Sequence, residues 1–577
     1  MVITLHRNGQ TEALEASEGA NLYRALREAG VGIDAPCGGR CFCGKCAVRV
    51  EGGGDVLAGE RDFLTPAQIA SGWRLACAVT VSEDMQVYLA GASDASIQIE
   101  GIEGDGTFDP AVTVCELELR RATLEDASGE FERARECTGA FEAASIDTLA
   151  TLRKPFAALY DGKRILTGSD SKEAYGVAFD IGTTTVVGYL MDLSTGVQMG
   201  VESSMNAQRA YGADVISRCT AAATKEGLSG LTAAIRGQLR DMTAALCSGS
   251  GVDAGQVYHI AIAGNTVMLH LLAGVPVDGI AVSPFAPVFT QGFDFPSGPF
   301  GLGCPNAVAT LLPCIAGYVG ADIVAAAMAC GMDLEGPPRL LLDIGTNGEM
   351  LLAADGKLLC CSTAAGPAFE GAHIACGVGG VRGAISKVSL RDGSIATETV
   401  GGGTPVGICG SGLVDAVAAL LDAYAVDETG RLDEEYLPDR HFELDGKGAF
   451  RLTDEVYLTQ KDLREVQLAK SAIAAGVEIL LREAGLKAED VAEVYLAGGF
   501  GSHIDPISAC RIGLMPKALL GAVRAVGNAA GAGARIALLN KNARERAEAI
   551  RRNTRAVELS LRPDFQDLYV DNMLFEG

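Results

Sequence analysis

Alternating apolar and polar residues open the sequence and predict a β-hairpin followed by a helix. Residues 2–6 alternate as a strand does, an Asn-Gly turn signature follows, and residues 12–16 predict the returning strand. Apolar positions at helical spacing then predict a helix over residues 20–30, which ends in a glycine. The pattern therefore predicts a ββα arrangement ahead of the first cysteine.

A second pattern, in which a Gly-Thr turn joins two apolar strands, occurs twice in the later part of the chain. It covers residues 175–190 and returns at residues 339–352, each time followed by a further β-turn. Recurrence of one supersecondary unit indicates an internal duplication. Two facing copies of the unit predict a cleft between them.

The region between these patterns predicts a small α/β spacer. Residues 97–110 are rich in Gly, Asp and Glu without apolar periodicity, which is typical of a connector, and residues 112–119 alternate as a strand. A chain of 577 residues is too long for one hydrophobic core. We predict three domains, with boundaries at residues 1–95, 96–173 and 174–577.

Composition favours a folded, cytoplasmic protein. Hydrophobic residues make up 48% of the chain, and the formal net charge of -26 argues against nucleic-acid binding. The first residues lack the basic and apolar regions of a secretory signal. Residues 306–334, the least charged long stretch, contain Asp322 and Asp333 and predict a buried small-residue helix rather than a membrane span. We expect neither a nucleic-acid nor a membrane partner.

The 17 cysteines are expected to be reduced thiols or metal ligands in that compartment. Four of them lie in one glycine-rich loop as Cys37, Cys41, Cys43 and Cys46, and Cys77 follows at a distance. Glycines let a loop bring its backbone N–H groups close to the inorganic sulfides of an iron–sulfur cluster. A zinc site and a redox dithiol are the alternatives. Outside this region, Cys115 and Cys137 are expected to be buried apolar side chains.

The spacing resembles that of 2Fe-2S ferredoxins of the adrenodoxin-like branch, which have the pattern C-x5-C-x2-C followed by a distant cysteine. The resemblance implies one 2Fe-2S cluster with Cys37, Cys43, Cys46 and Cys77 as ligands, in a β-grasp ferredoxin domain. Cys41 departs from the pattern, because relatives commonly have a small residue there. It is interpreted as a fifth, non-ligating thiol or as a substitute ligand.

The two hairpin patterns favour a bound nucleotide. A hairpin tip with Gly and Thr offers backbone N–H groups and hydroxyls to phosphate oxygens, and the preceding Asp180 or Asp343 can hold hydrated Mg²⁺. Two later glycine-rich strings, at residues 408–415 and 494–502, precede predicted helices at places where the backbone can approach a base or ribose. A purely structural role for these turns is the alternative.

The order of these motifs resembles that of the acetate and sugar kinase, heat-shock chaperone and actin superfamily. The resemblance implies a duplicated ribonuclease-H-like ATPase domain that binds ATP between its lobes. The residues implied to contact the nucleotide are Gly182, Thr183, Thr184, Gly345, Thr346, Asn347, Gly410, Ser411, Gly498, Gly499 and Phe500.

Four further strings resemble the reductive activators of corrinoid proteins. They lie at residues 206–218, 263–270, 366–371 and 458–463. The resemblance implies an ATP-hydrolysing enzyme that passes one electron from its cluster to Co(II) and regenerates Co(I) for methyl transfer. The implied partners are a corrinoid protein of a methyltransferase system and an upstream low-potential electron donor.

Three side chains in these strings have competing interpretations. Asp214 and Arg218, four residues apart on a predicted helix, form either a surface pair or a functional contact. His270 in a Leu-rich stretch is expected to be a core histidine. Glu370 is the candidate for a carboxylate that positions the attacking water, which adds it to Asp180 and Asp343 as a catalytic residue.

Two other functions stay open at this point. One is a small-metabolite kinase with a ferredoxin module as a redox sensor, and the other is an electron-carrying adaptor without ATPase activity. The methyl-transfer system served, the reductant, and a monomeric or homodimeric state are not determined by the sequence.

We predict that protein purified without oxygen carries two iron and two sulfide ions per chain. Cys41→Gly should keep the cluster's visible spectrum, whereas Cys43→Ser should lose it, because only Cys43 fits the ligand spacing. Iron and sulfide analysis with absorption spectroscopy checks both variants. Zinc in place of iron would contradict the cluster assignment, and loss of the cluster in Cys41→Gly would make Cys41 a ligand.

Overall fold

The computed structural model describes most of the chain. The described residues are 1–7, 10–29, 31, 46–52, 54, 56–61, 63–64, 66–88, 107–391, 393–444, 446–499 and 501–575. They divide into two compact units. The first contains the described residues of Met1–Ala95 with Met205–Gln238 and His270–Val288, and the second those of Ser96–Ser204, Leu239–Leu269 and Phe289–Gly577. The predicted turn at Asn8 and Gly9 lies outside the described residues.

The amino-terminal residues form a mixed sheet with two helices. Its strands are β1 (Val2–Arg7), β2 (Gln10–Glu15), β3 (Ala47–Glu51), β4 (Trp73–Leu75) and β5 (Met85–Tyr88), and the helices are α1 (Leu22–Glu28) and α2 (Pro66–Ala70). The spatial order is β2-β1-β5-β3-β4, with β1 antiparallel to β2 and parallel to β5. Ile3 and Leu5 of β1 pack with Leu22 and Leu26 of α1 in the core. This arrangement confirms the predicted ββα start and the ferredoxin-like β-grasp fold.

The spacer forms a small sheet in the order β6-β8-β9-β7. Its elements are β6 (Val112–Glu116), α3 (Glu130–Thr138), β7 (Glu142–Ala143), α4 (Ile146–Ala150), β8 (Phe156–Tyr160) and β9 (Arg164–Ser169). Leu117, Leu152 and Ile165 are buried in its core. The predicted burial of two cysteines is wrong here, because Cys115 is only half-buried and Cys137 is exposed. Each lies on an element that covers only one side of this small core.

The larger region contains two sheets of matching topology, as the duplicated pattern predicts. The first contains β10 (Tyr175–Ile181), β11 (Thr185–Asp192), β12 (Gln198–Met205), β13 (Val257–Gly264), β14 (Phe293–Pro296) and β15 (Val308–Leu311). The second copy begins with β16 (Arg339–Ile344), β17 (Gly348–Ala354) and β18 (Lys357–Thr363), continues through β19 (Ala384–Arg391), β20 (Ser394–Thr399), β21 (Gly407–Ile408), β22 (His441–Leu444), β23 (Lys447–Arg451) and β24 (Tyr457–Thr459), and ends with β25 (Glu493–Ala497), β26 (Val523–Gly527) and β27 (Thr554–Ala556).

The strand orders β12-β11-β10-β13-β15 and β18-β17-β16-β25-β26 are equivalent. In each sheet the central strand, β10 or β16, is antiparallel to the next strand of its hairpin and parallel to β13 or β25 on its other side. This is the ribonuclease-H-like order, present twice. Short sheets β20-β19-β21 and β22-β23-β24 are inserted in the second copy.

Helices cover these sheets. They are α5 (Val215–Ala221), α6 (Lys225–Ser250), α7 (Thr266–Ala273), α8 (Asp278–Ala281), α9 (Ser297–Phe300), α10 (Ala321–Ala329), α11 (Gly410–Asp422), α12 (Gln460–Ala484), α13 (Pro506–Arg511), α14 (Ala529–Leu539), α15 (Ala543–Asn553) and α16 (Pro563–Asp571). Among the described residues, no helix is both long and apolar enough to cross a membrane. The predicted buried small-residue helix is α10, which has an almost continuous run of buried residues.

Small residues let α10 and α14 approach each other closely. A Cβ atom added at Gly533 of α14 would lie 2.0 Å from the carbonyl oxygen of Ala325 in α10. Backbone atoms cannot yield as the end of a flexible side chain can. Glycine at position 533 is therefore required by packing, although it lowers the intrinsic helix propensity.

We predict that Gly533→Ala destabilises the protein by about 1–3 kcal/mol, because the added methyl group overlaps the backbone of α10. The matched control is Gly249→Ala in α6, where a Cβ atom would meet no other atom within 4 Å. That change should be neutral or stabilising by up to about 1 kcal/mol. Calorimetric unfolding of both variants tests the contact, and equal stability of the two would contradict it.

Candidate iron–sulfur and nucleotide sites

Cys46 and Cys77 lie side by side at one end of two paired strands. Cys46 directly precedes β3, and Cys77 follows β4 with Ala76 between. Ala47 is opposite Leu75 in this antiparallel pair, and the Ala76 N–H donates to the Cys46 carbonyl at 2.9 Å. The two sulfur atoms consequently lie 3.1 Å apart.

The chemistry of this pair fits the predicted cluster. Both cysteines are free. Hydrogen bonding with the Cys77 side chain lowers the pKa of Cys46 to about 7, although burial opposes the shift. Thiolates are the usual ligands of iron–sulfur clusters. Cys37 and Cys43 lie outside the described residues, as does Cys41, so their roles stay predictions.

Two hydrogen-bonded contacts hold the Cys77 segment in place, and neither was predicted from the sequence. The Nδ2 group of Asn21 donates to the Cys77 carbonyl at 2.8 Å. The carboxylate of Glu60, which is fully buried, accepts from Arg74 Nε and from the Leu75 N–H, each at 2.9 Å. A buried, hydrogen-bonded ion pair of this kind fixes the geometry of β4 immediately before the ligand.

The two hairpin tips of the larger region, which the resemblance implies is an ATPase, come together around one carboxylate. Thr184 follows β10 and Thr346 follows β16, and their hydroxyl oxygens lie 3.3 Å apart. Both hydroxyls donate to Glu370, at 3.0 and 3.1 Å from Thr184 and at 2.9 Å from Thr346. Glu370 ends the 3₁₀ helix Pro367–Glu370, which starts at a proline. The structure thus joins three residues that are far apart in the sequence.

Asp180 and Asp343 occupy equivalent places near the ends of β10 and β16. Burial, followed by the charge of Asp322, raises the pKa of Asp180 to about 7, and hydrogen bonding with Asn528 opposes this shift. Burial also raises the pKa of Asp343 to about 7, with contributions from the charges of Asp322 and Asp180. The pKa of Asp322 itself is raised to about 6 by burial. These carboxylates are close enough to disfavour ionisation of one another.

Glu349 adds a further carboxylate to this cluster. It lies opposite Asp343 in the β16–β17 register and is buried. Burial, then the charges of Asp322 and Asp343, raise the pKa of Glu349 well above its usual value. Its Oε1 atom accepts from the side-chain amides of Asn265 at 3.4 Å and Asn347 at 3.5 Å. Neither Asp322 nor Glu349 was predicted as a site residue from the sequence, although Glu349 directly follows the second hairpin motif.

The predicted adenosine motif begins beside the second phosphate motif. Gly498 follows β25, which is parallel to β16, and its φ of +87° favours glycine. A Cβ atom at this position would lie 2.5 Å from Asp343 Oδ1, whereas one at Gly499 would meet no other atom within 4 Å. Phe500 lies outside the described residues. The close approach at Gly498 leaves no room for a side chain.

The remaining predicted nucleotide residues have local structural contacts. Gly182 donates its N–H to the Thr185 carbonyl at 2.9 Å, which closes the first hairpin tip. Gly410 begins α11, and the Ser411 hydroxyl donates to the Ser386 carbonyl at 3.1 Å. The nucleotide contacts of these residues, and of Thr183, stay predictions. Among the residues that the structure describes, no three Asp, Glu, His or Cys side chains converge as a ready metal site.

The burial of Arg218 and His270 decides between the interpretations that the sequence left open for these side chains. Arg218 is fully buried and donates from Nε to the Gly212 carbonyl at 3.0 Å, while Asp214 caps α5. The interpretation of Asp214 and Arg218 as a surface pair is therefore wrong, because the guanidinium turns into the protein. His270 is buried and its Nε2 accepts from the Val288 N–H at 3.1 Å, which confirms a core histidine.

Family models match both parts of this architecture. A 2Fe-2S iron–sulfur cluster binding domain matches residues 5–82, the RACo middle region matches residues 175–335, and the C-terminal domain of RACo, an ASKHA domain, matches residues 338–577. Fold and sequence therefore define an iron–sulfur protein with a ferredoxin domain and a duplicated actin-like ATPase domain.

Full-length relatives narrow the class to one family. The chain is 32% identical to the corrinoid activation enzyme RamQ of Eubacterium limosum over 98% of both proteins. It is 25% identical to the Co(II) methylated amine-specific corrinoid protein reductase of Methanosarcina barkeri, over 59% of this chain and 66% of that protein. The solved structure of a reductive activator for corrinoid, iron–sulfur protein superposes with a TM-score of 0.74 at 31% identity, covering 99% of this chain and 98% of that one. The chain belongs to the family of reductive activators of corrinoid proteins, which are enzymes.

We predict that Asp343→Asn changes stability in a pH-dependent way when nucleotide and divalent cations are absent. A carboxyl whose pKa is raised on folding from about 3.9 contributes stability that is complete at low pH and is lost as pH rises through about 7. Because the wild-type stability falls between about pH 3.9 and about pH 7 and Asn mimics the protonated form, the gain in unfolding temperature of the variant over wild type should be small near pH 5 and larger near pH 8.

The control for this experiment is Asp439→Asn, which changes an exposed carboxylate. It should have the same small effect at both pH values. Thermal unfolding curves of the three proteins in buffers with a chelator give the comparison. An Asp343→Asn effect that does not change with pH would mean that Asp343 is already ionised near pH 5.

Proposed function

We propose that this protein reduces the cobalt of a corrinoid protein from Co(II) to Co(I) at the expense of ATP. The observation that carries the ATP-dependent part is the Glu370 carboxylate between the hydroxyls of Thr184 and Thr346. Membership in the activator family supports the corrinoid part. A cluster held by Cys37, Cys43, Cys46 and Cys77 would supply the electron, one for each cobalt reduced.

The residues of the two hairpin tips are proposed to bind the triphosphate of ATP. Backbone N–H groups at the tips are donors for phosphate oxygens, which is the chemistry that a turn of this kind provides, whereas the Thr184 and Thr346 hydroxyls already donate to Glu370. The proposed phosphate contacts are Gly182, Thr183, Thr184, Gly345, Thr346 and Asn347. Gly410, Ser411, Gly498, Gly499 and Phe500 are proposed to line the adenosine.

Asp180 and Asp343 are proposed to bind a hydrated Mg²⁺ ion. Mg²⁺ usually keeps several waters and uses one or two carboxylates, which agrees with partly buried acids that do not form a complete ligand set by themselves. A divalent cation would also offset the burial and the repulsion that raise the pKa of both groups. Glu370, held by two hydroxyls, is proposed to orient the water that attacks the terminal phosphate.

The need for ATP follows from reduction potentials. Plant-type 2Fe-2S centres lie near about -400 mV, and the Co(II)/Co(I) couple is generally harder to reduce. At 1.4 kcal/mol per 59 mV for one electron, an assumed gap of about 200 mV costs about 5 kcal/mol. Hydrolysis of ATP to ADP and phosphate can offset this cost if the nucleotide binds two states of the complex differently.

The direct test mixes reduced protein with a Co(II) corrinoid protein of a methyltransferase system, with and without ATP. We expect Co(I) absorption to form only with ATP, and ATP hydrolysis to rise more with Co(II) than with Co(I) partner, because hydrolysis without a target would dissipate the free energy. Phosphorylation of a small metabolite would instead indicate a kinase. Cobalt reduction with no ATPase activity would indicate an adaptor.

We predict that Asp180→Asn and Asp343→Asn each lower ATP-dependent cobalt reduction by at least about a hundredfold, because a single lost electrostatic contact of this kind costs that much. The visible spectrum of the cluster should not change. Asp439→Asn, an exposed Asp far in sequence from either motif, is the control and should retain full activity. Unchanged ATP turnover in Asp180→Asn or Asp343→Asn would contradict the assignment of the cation.

A further inference from the structure

Residues 206–218 form a segment to which the proposed function assigns no role. They belong to Met205–Gln238, which shares a compact unit with the described amino-terminal residues. We call residues 206–218 the platform. The platform contains several polar side chains, and three of them, Asn206, Gln208 and Arg218, are buried inside the protein.

Buried polar contacts give the platform a fixed shape. Asn206 is buried and its side chain accepts from the Gln208 N–H at 2.9 Å. Gln208 is fully buried and donates from Nε2 to the Leu231 carbonyl in α6 at 3.0 Å. Arg218 is equally buried and bonds to the Gly212 carbonyl. These side chains satisfy backbone groups inside the protein, which is the work of a rigid scaffold.

Tyr23 connects the platform to the ferredoxin domain. Its ring belongs to the core of that domain, where the residue is 2% exposed. Its hydroxyl leaves the core and donates to the Ala210 carbonyl of the platform, 187 residues away in the sequence. Buried tyrosines usually find such a partner for the polar end of the ring.

The same tyrosine also lies beside a cluster ligand. Its backbone N–H donates to the Ala76 carbonyl at 3.1 Å, immediately before Cys77. The neighbouring Asn21 side chain donates to the Cys77 carbonyl itself. Residues 21 and 23, at the start of α1, therefore contact both sides. The Asn21 side chain and the Tyr23 backbone N–H bind the segment that carries Cys77, and the Tyr23 hydroxyl binds the platform.

We propose that residues 206–218 are the docking platform of the iron–sulfur domain and that Tyr23 is the positioning residue that attaches it. The attachment fixes the orientation of the Cys77 side of the domain relative to the platform within their shared compact unit. The consequence for electron delivery rests on the proposed function, whereas the attachment itself does not.

The test uses the full-length, cluster-containing protein and two matched substitutions. Tyr23→Phe removes only the hydroxyl that reaches Ala210. Tyr88→Phe removes a hydroxyl in the same domain that donates to Glu51 at 3.2 Å and Gln86 at 3.0 Å, both within the ferredoxin domain. The visible spectrum of each variant establishes whether the cluster and its fold are intact.

Hydrogen–deuterium exchange then measures the attachment. In Tyr23→Phe we expect peptides of the platform to exchange about fivefold faster, the change that corresponds to one lost hydrogen bond of ordinary strength. Tyr88→Phe should leave platform exchange as in wild type. Unchanged exchange in Tyr23→Phe, or an equal rise in both variants, would overturn the proposal.

Activity assays provide a second, separable result. Tyr23→Phe should reduce cobalt several-fold more slowly while hydrolysing ATP at the wild-type rate, because the hydroxyl that it removes donates to the Ala210 carbonyl and not to a proposed nucleotide residue. Equal loss of both activities would overturn the role in positioning. If wild-type protein reduces no corrinoid at all, the proposed function fails, and the exchange result still decides whether the platform holds the domain.

Discussion

The carboxylate of Glu370 receives hydroxyl hydrogen bonds from the tips of two hairpins, and the geometry of the ATPase region depends on this shared acceptor. Bonds to a carboxylate are stronger than those between neutral groups, and here both donors lie in the turns of hairpins whose strands belong to the two sheets. The carboxyl-terminal ends of the equivalent strands β10 and β16 must therefore lie close to one another. The register that places Asp343 opposite Glu349, and Asp180 opposite Val187, follows from the same hairpins.

The cluster of carboxylates next to this acceptor imposes the opposite constraint. Burial raises the pKa of Asp180, Asp322, Asp343 and Glu349, and the charges of neighbouring carboxylates add to this shift for Asp180, Asp343 and Glu349. Such an arrangement is costly for stability at neutral pH. Proteins accept that cost at sites that are completed by a cation or a reacting group, which is where perturbed pKa values concentrate.

Sequence patterns predicted the hairpins, the duplication and the ferredoxin-like start, because each depends on residues that are close in the chain. The cysteine spacing and the Asp-Ile-Gly-Thr motifs likewise carry their chemistry locally. Asp322 was missed as a site residue because the many Ala and Gly residues around it predict a buried structural helix. Only tertiary packing places Asp322 close enough to Asp343 for its charge to affect the pKa of Asp343. Arg218 was misjudged for the same reason: helical spacing places it four residues from Asp214, but burial depends on what surrounds α5.

The contact between Tyr23 and Ala210 lay beyond any local pattern, since its partners are 187 residues apart and one of them is a backbone carbonyl. The residue type at position 210 cannot predict this acceptor, because every residue has a backbone carbonyl. The buried Glu60 and Arg74 pair is similar, because two charges near a strand are predicted on the surface until the fold shows that they satisfy each other.

The equivalent strand orders of the two sheets also describe how the copies diverged after duplication. In both, a long connection joins the third and fourth strands of the repeat, from β12 to β13 in one and from β18 to β25 in the other. The first connection contains residues 206–218, and the second contains Glu370, α11 and α12. A position in the ancestral unit that tolerated added chain thus acquired different contents in the two descendants, and each copy could specialise without altering the strands that they inherited in common.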